Sequence, residues 1–248
     1  MKRFLKILGV LILVVTAFAI MPKQNVIKAA NSTTYFAGGE GTVDNPYQIS
    51  TTQHLDNIRY YPSAHYKLVN DLVFTSQDYN YGQFYNSGCY WNPIPSFTGS
   101  FDGNNYSIDG LKINRTWAGE TVNGVTKTSA TYGLFADVNG SIKDLTLSNV
   151  DIKISVKGLY NGSTSVCVGA IAGILQGKLE NCAVSGNVVV TGQTNYVSAM
   201  AGGLVGDIYG SNVNIYNCYN AANIEGTCNS SQATFIFGGI VGWLPGRN

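Results

Sequence analysis

The side chains best suited to chemistry are few and scattered. Histidine occurs twice in 248 residues, as His54 and His65, and a Ser-His-Asp or Cys-His relay needs an imidazole beside its nucleophile. No His-Glu-x-x-His is present, so the zinc-peptidase arrangement is absent, and two histidines without further close ligands do not make a metal site. The acids Asp102, Asp109, Asp137, Asp144, Asp151, Glu180, Asp207 and Glu225 occur singly, whereas glycoside hydrolysis needs two carboxylates converging on one bond. Asp102-Gly-Asn-Asn105 resembles a calcium loop but lacks the further carboxylates and closing Glu. A tight turn with positive φ at Gly or Asn explains it better. The expectation is therefore no catalytic residue, no cofactor and no metal.

Aromatic and sulfur chemistry is more concentrated. Ser76 to Asn92 carries Tyr79, Tyr81, Phe84, Tyr85, Tyr90 and Trp91, with Gly82 and Gly88 between them. Tyr and Trp give large rigid contact areas with a polar edge, which makes Tyr79, Tyr81, Tyr85 and Trp91 the candidate ligand-binding residues. The competing reading folds the same rings back into a satellite core, since long loops must pack somewhere. Five cysteines, Cys89, Cys167, Cys182, Cys218 and Cys228, cannot all pair within one chain.

What positions these residues is repetition. Tyr132-Gly-Leu-Phe-Ala136, Val168-Gly-Ala-Ile-Ala-Gly173, Ala201-Gly-Gly-Leu-Val-Gly206 and Phe237-Gly-Gly-Ile-Val-Gly242 head four blocks, placing Leu134, Ile171, Leu204 and Ile240 at intervals of 37, 33 and 36 residues. Ser141-Ile-Lys-Asp-Leu-Thr-Leu147, Lys178-Leu-Glu-Asn-Cys-Ala-Val184 and Asn214-Ile-Tyr-Asn-Cys-Tyr219 follow the first three heads. An upstream copy fits without a gap, with Gly99, Phe101, Ile108, Leu111 and Ile113 lying 34 residues before Gly133, Phe135, Ile142, Leu145 and Leu147. A period of about 20 to 50 residues marks stacked supersecondary units that cannot bury their apolar faces alone. Two or three short strand-like runs per unit, Asn-rich corners and no long helical-period run favour a right-handed parallel β-helix. That fold predicts one inward ladder of Ile108, Ile142, Leu179 and Ile215, and a corner ladder of Asp144, Asn181 and Asn217. Cys182 and Cys218 take the position of Leu145 and Leu111, so they are expected to be buried and reduced; a disulfide between them is the competing reading.

The Gly-Leu-Val-Gly206 and Gly-Ile-Val-Gly242 elements, the Glu-Asn-Cys182 and Tyr-Asn-Cys218 followers and the lead-in from Phe97 to Leu111 resemble the GLUG-motif family. The likeness runs from about Gly41 to the end and departs at Ala136 and Ala170, which replace glycines. The resemblance implies a secreted bacterial repeat protein or adhesin-like surface protein, similar to the non-catalytic N-terminal part of some immunoglobulin A-cleaving metallopeptidases.

Ahead of the repeats, Lys2, Arg3 and Lys6 precede an apolar run from Ile7 to Ile20, the pattern of a secretory signal rather than a stable membrane span. Residues 1–30 are read as that signal, with cleavage after Ala19 or Ala30. Their removal takes five bases and no acid, leaving ten Lys and Arg against fourteen Asp and Glu. No basic stripe remains to bind nucleic acid. Residues 31–65 form a cap with a short helix from Thr51 or Thr52 to about Tyr61, ended by Pro62, with Leu55 and Ile58 on its buried face. Residues 66–248 form the β-helix, whose last unit, from Phe237 to Leu244, is begun and not completed. The function expected is a non-catalytic extracellular binding or display module, secreted or at the cell surface, that contacts a host or cell-surface glycan or protein. A structural stalk, or less readily a polysaccharide-degrading β-helix enzyme, is the alternative.

Overall fold

Backbone pairing in this computed structural model builds a parallel β-helix from residue to rung. The structure describes residues 35–244, except Tyr81, Gln83, Tyr85, Gly124, 159–163, 194–195 and Asn229. The expected signal segment, residues 1–30, lies outside the described residues.

The first rung is β1 (Tyr47–Ile49), which pairs in parallel with β2 (His65–Leu68). Parallel pairing thus begins inside the stretch assigned to the cap. Between the two strands, Thr51 caps helix α1 (Thr52–Asn57), its hydroxyl accepting the His54 N–H at 3.1 Å, and a 3-10 turn over Ile58–Tyr60 continues it. Leu55 and Ile58 are fully buried, so the apolar face read from sequence is the face that packs. Tyr47 and Phe36 stack at 4.3 Å, and Tyr66 lies edge-on to Phe36 at 5.5 Å, giving the first rungs of the β-helix an aromatic core.

After β3 (Leu72–Val73) the chain reaches β4 (Ile94–Phe97), β5 (Ser100–Asp102), β6 (Ser107–Asp109) and β7 (Lys112–Trp117), then a side hairpin of β8 (Glu120–Val122) and β9 (Val125–Lys127). Three complete coils follow, each of four strands. The first comprises β10 (Ser129–Tyr132), β11 (Phe135–Val138), β12 (Ser141–Lys143) and β13 (Thr146–Val156). The second comprises β14 (Thr164–Val168), β15 (Ala172–Leu175), β16 (Lys178–Glu180) and β17 (Ala183–Gly192). The third comprises β18 (Val197–Gly202), β19 (Val205–Ile208), β20 (Asn214–Tyr216) and β21 (Tyr219–Cys228), and β22 (Thr234–Gly238) and β23 (Val241–Trp243) begin another. Equivalent strands pair in parallel, with one register shift between Leu147 and Val150 where β13 meets β17, making four sheets that wrap one core. Four strands per coil, rather than two or three, arise because each glycine-rich head bends the chain between two strands.

Leu134, Ile171 and Leu204 are fully buried and stacked through backbone bonds, as the heads predict. The inward ladder differs in one member. Its register is Tyr66, Phe101, Ile142, Leu179 and Ile215, while Ile108 pairs with Leu147 on the next sheet. The gap-free 34-residue offset is therefore wrong, because Phe101 lies 41 residues before its partner Ile142. The β8–β9 hairpin and its flanks lengthen that coil. Leu111 likewise lies beside Val150, accepting the Asp151 N–H, and Gly103 takes the place opposite Leu145.

The corner ladder is present. Asp144, Asn181 and Asn217 have φ of 52°, 52° and 49°, a left-handed conformation that Asn and Asp tolerate better than other side chains. Asn217 Nδ2 donates to Asn181 Oδ1 at 2.8 Å, and Asn181 Nδ2 donates to Asp144 Oδ1 at 2.8 Å. The bond from Asn181, and after it the Lys143 ammonium, hold the Asp144 carboxyl below its usual range. Asn104 and Asn105 also have positive φ, so the Asp102-Gly-Asn-Asn105 stretch is a turn. Next to the ladder, Cys182 is buried as expected, but Cys218 is only half-buried, since no described strand pairs with the far side of β20.

Replacing Asn181 by alanine should lower unfolding stability by about 1–3 kcal/mol, because alanine bears the left-handed penalty and both ladder bonds are lost. Glycine at the same position should cost clearly less, since it removes only the bonds. Urea melts of the two variants separate the contributions.

Candidate functional site

The aromatic insertion is mostly a packing device. Tyr79, on α2 (Ser76–Asn80), is 3% exposed and stacks on Phe74 at 5.5 Å. Its hydroxyl donates to the Gly110 carbonyl at 2.9 Å and accepts the Lys112 N–H at 2.8 Å. Trp91 is fully buried against Phe74 and Phe84, and its Nε1 donates to the Leu134 carbonyl at 3.0 Å. Burial raises the Tyr79 phenol well above its ordinary value. Neither ring can offer a face to a ligand, so Tyr79 and Trp91 are withdrawn as binding residues. Their spacing resembled a display loop because a satellite core and a contact loop share the same composition. Tyr81 and Tyr85 lie outside the described residues.

A polar trough that sequence reading missed runs across the coils at the corner between the β4 and β5 sheets. Its floor is Gly99, Gly140 and Gly177, each pressed against the rung before it. A Cβ on Gly140 would lie 1.9 Å from the Gly99 carbonyl oxygen, and one on Gly177 1.9 Å from that of Gly140. The preceding residues Thr98, Asn139 and Gln176 and the following residues Ser100, Ser141 and Lys178 form its walls, with His65 and Asn212. The volume is about 430 Å³, open to solvent. Backbone bonds fix the rung spacing: Asn139 N–H donates to the Phe97 carbonyl, Gln176 N–H to that of Val138 and Tyr209 N–H to that of Leu175. Tyr209 is therefore the next rung after Thr98, Asn139 and Gln176, and it is 68% exposed. His65 Nδ1 and Ser100 Oγ are 2.7 Å apart. Among the described residues no carboxylate lines the trough, and Lys178 supplies a positive charge. The legible signal was the triplet Thr98-Gly-Ser100, Asn139-Gly-Ser141, Gln176-Gly-Lys178 just ahead of the repeating followers.

A second cluster lies on the neighbouring sheet. Asp137 and Asp207 both pair with Ile174 from opposite sides, so they stand two rungs, roughly 10 Å, apart. Burial raises both carboxyls above the ordinary value, and Asp207 Oδ1 is buried without a hydrogen-bond partner. The Cys167 thiol is pushed up to about 12, first by burial and then by these two acids. His54, half-buried, has its imidazole lowered by burial and lies 3.2 Å from Ser50 Oγ. Among the described residues no cluster of three metal-ligating side chains occurs, and no helix is long and apolar enough to cross a membrane.

No family model matches the chain. A candidate Gly-rich membrane protein of Evansella cellulosilytica is 33% identical over 193 residues, 74% of this chain and 19% of that protein. Halomucin of Haloquadratum walsbyi is 34% identical over 119 residues, 46% of this chain and 1% of that protein. The chain thus spans less than a fifth of either relative. Among solved structures, a candidate immunoglobulin A1 protease of Bacteroides ovatus aligns with a TM-score of 0.48 and 18% identity, over 84% of this chain and 74% of that one.

Two outcomes follow from the buried groups. Tyr79→Ala should lower stability by about 3–5 kcal/mol, as for other buried aromatics, and Tyr79→Phe should lose part of that through its two hydrogen bonds; chemical denaturation measures both. Asp207 binds its proton more tightly folded than unfolded, so its contribution is complete below the ordinary value of 3.8 and is lost as pH rises through the folded value. Asp207→Asn should therefore melt higher than the parent at pH 7 and no higher below pH 3.8, read by melting curves across that range.

Proposed function

We propose that this chain is a non-catalytic extracellular binding or display module of a secreted or cell-surface protein, and that the polar trough is its contact face. One observation carries the reading: Thr98, Asn139, Gln176 and Tyr209 repeat an outward hydrogen-bonding position rung by rung, with an exposed ring at one end. Such a row suits an extended, hydroxyl-rich polymer, because its subunits can meet equivalent groups at intervals of about 4.8 Å while one sugar ring stacks on Tyr209. A glycan of the host or of the cell's own surface fits this chemistry, with Lys178 favouring a neutral or anionic chain. The mucin and membrane-protein names of the relatives agree with a surface location. The glycine-rich heads and Asn-Cys followers support placement among GLUG-like adhesin repeats, and the basic and apolar start of the chain supports export.

The raised carboxyls of Asp137 and Asp207 favour a second reading, a polysaccharide-cleaving enzyme, since a general acid needs an elevated pKa. Ile174 stands between them in register, which weighs against one shared bond.

A glycan array probed with the whole chain tests the proposal. Binding should be found, and Tyr209→Ala should weaken it by about 2- to 10-fold, the equivalent of one aromatic contact, with an unchanged melting temperature. Equal binding by the variant, or no glycan bound, removes the trough as the contact face. Release of reducing ends from any bound polysaccharide, abolished by Asp137→Asn, would replace the binding reading with the enzymatic one.

A further inference from the structure

Cys182 and Cys218 occupy one corner position in consecutive coils, each following a left-handed asparagine. The Tyr219 N–H donates to the Cys182 carbonyl at 2.9 Å, which locks the two corners together. The pairing of Glu180 with Tyr216 and of Ala183 with Tyr219 on either side sets the two cysteines opposite each other in register. The surroundings differ. Cys182 is 1% exposed, and its Sγ donates to the Glu180 carbonyl at 3.2 Å. Cys218 is half-buried, donates to the Tyr216 carbonyl at 3.3 Å, and forms a wall of an open cavity of about 520 Å³ with Ile215, Ile240, Val241 and Leu244. One thiol of the pair therefore reaches small molecules and the other does not. In the coil before, the equivalent residue is Leu145, so among the described residues the pair occurs in these two coils.

In-register residues of parallel strands lie about 4.8 Å apart, inside the Cα range of about 4.4–6.8 Å that a disulfide spans.

We infer that Cys182 and Cys218 form an inter-coil dithiol that exchanges with small-molecule disulfides, with Cys218 as the attacking thiol and Cys182 as the resolving one. The Cys218 thiolate attacks one sulfur of R–S–S–R, forming a mixed disulfide and expelling one thiolate, which takes up a proton. Cys182 then loses its proton and attacks Cys218 Sγ, closing the protein disulfide and releasing the second R–SH. Two protein thiols are oxidised and one small disulfide is reduced to two thiols. The adjoining Cys182 side chain lowers the Cys218 thiol, whereas the Cys218 side chain and then burial raise Cys182; with Cys218 also the more exposed of the two, the first step is fast and the second slow. The apolar cavity walls favour an uncharged aromatic disulfide. The product fastens β20 to β16 at their common corner.

Treating the intact chain with one equivalent of 4,4′-dithiodipyridine at pH 7 tests this. Two equivalents of thiopyridone should appear in two phases, with peptide mapping locating the link at Cys182–Cys218 and an intact mass two hydrogens lower. Cys182→Ser should release one equivalent and hold the pyridyl group on Cys218. Cys218→Ser should abolish the fast phase, and the rate of that phase in the parent should rise through a pH below that of a free cysteine. Slower labelling of Cys218 than of Cys89 or Cys228 overturns the inference, as does a Cys218 mixed disulfide that persists in the parent, or a link mapped elsewhere.

Discussion

Everything in this molecule depends on in-register parallel pairing between successive coils. Each inner strand pairs with the coil before and the coil after, which matters because an unpaired buried backbone group is costly. Register is therefore shared along the whole stack. A residue that points inward in one coil forces an inward partner in the next, which is why Phe101, Ile142, Leu179 and Ile215 form one apolar column. Corners inherit the same constraint. They must turn without breaking the ladder, and Asp144, Asn181 and Asn217 do so with left-handed backbones and a chain of side-chain bonds.

That constraint explains what the sequence made legible. The heads around Leu134, Ile171 and Leu204, the followers around Ile142, Leu179 and Ile215, and the short helix with Leu55 and Ile58 could all be read, because repetition and amphipathic spacing record inward packing directly. The placement of Ile108 could not. Its 34-residue match to Ile142 came from comparing coils of unequal length, and only pairing shows that the extra chain around β8 and β9 shifts Phe101 into that position. Strand number per coil was hidden for a related reason, since Gly133 and Gly169 bend the chain inside what reads as one continuous motif.

The candidate site was less legible because outward positions obey no packing pattern. Thr98, Asn139 and Gln176 differ in type yet share one rung position, and only the glycine after each gives them away. Tyr79 and Trp91 drew attention through composition, but composition does not report direction. Tyr79 turns its hydroxyl to Gly110 and Lys112, and Trp91 turns its indole to Leu134, so both polar edges are spent on the backbone they cover.

A stack of this kind separates what must be kept from what can change. Inward columns and glycine floors are fixed by neighbours on both sides: a side chain on Gly140 would strike the rung before it, and no relaxation of one coil could accommodate it without moving the next. Outward rungs touch solvent and can vary singly, so any recognition surface must be assembled from them, one residue per coil. The consequence is a linear site whose spacing is set by backbone hydrogen bonds rather than by the side chains that use it. The same logic holds at the corner of Cys182 and Cys218, where pairing sets two cysteines in register and only Cys218 is partly exposed.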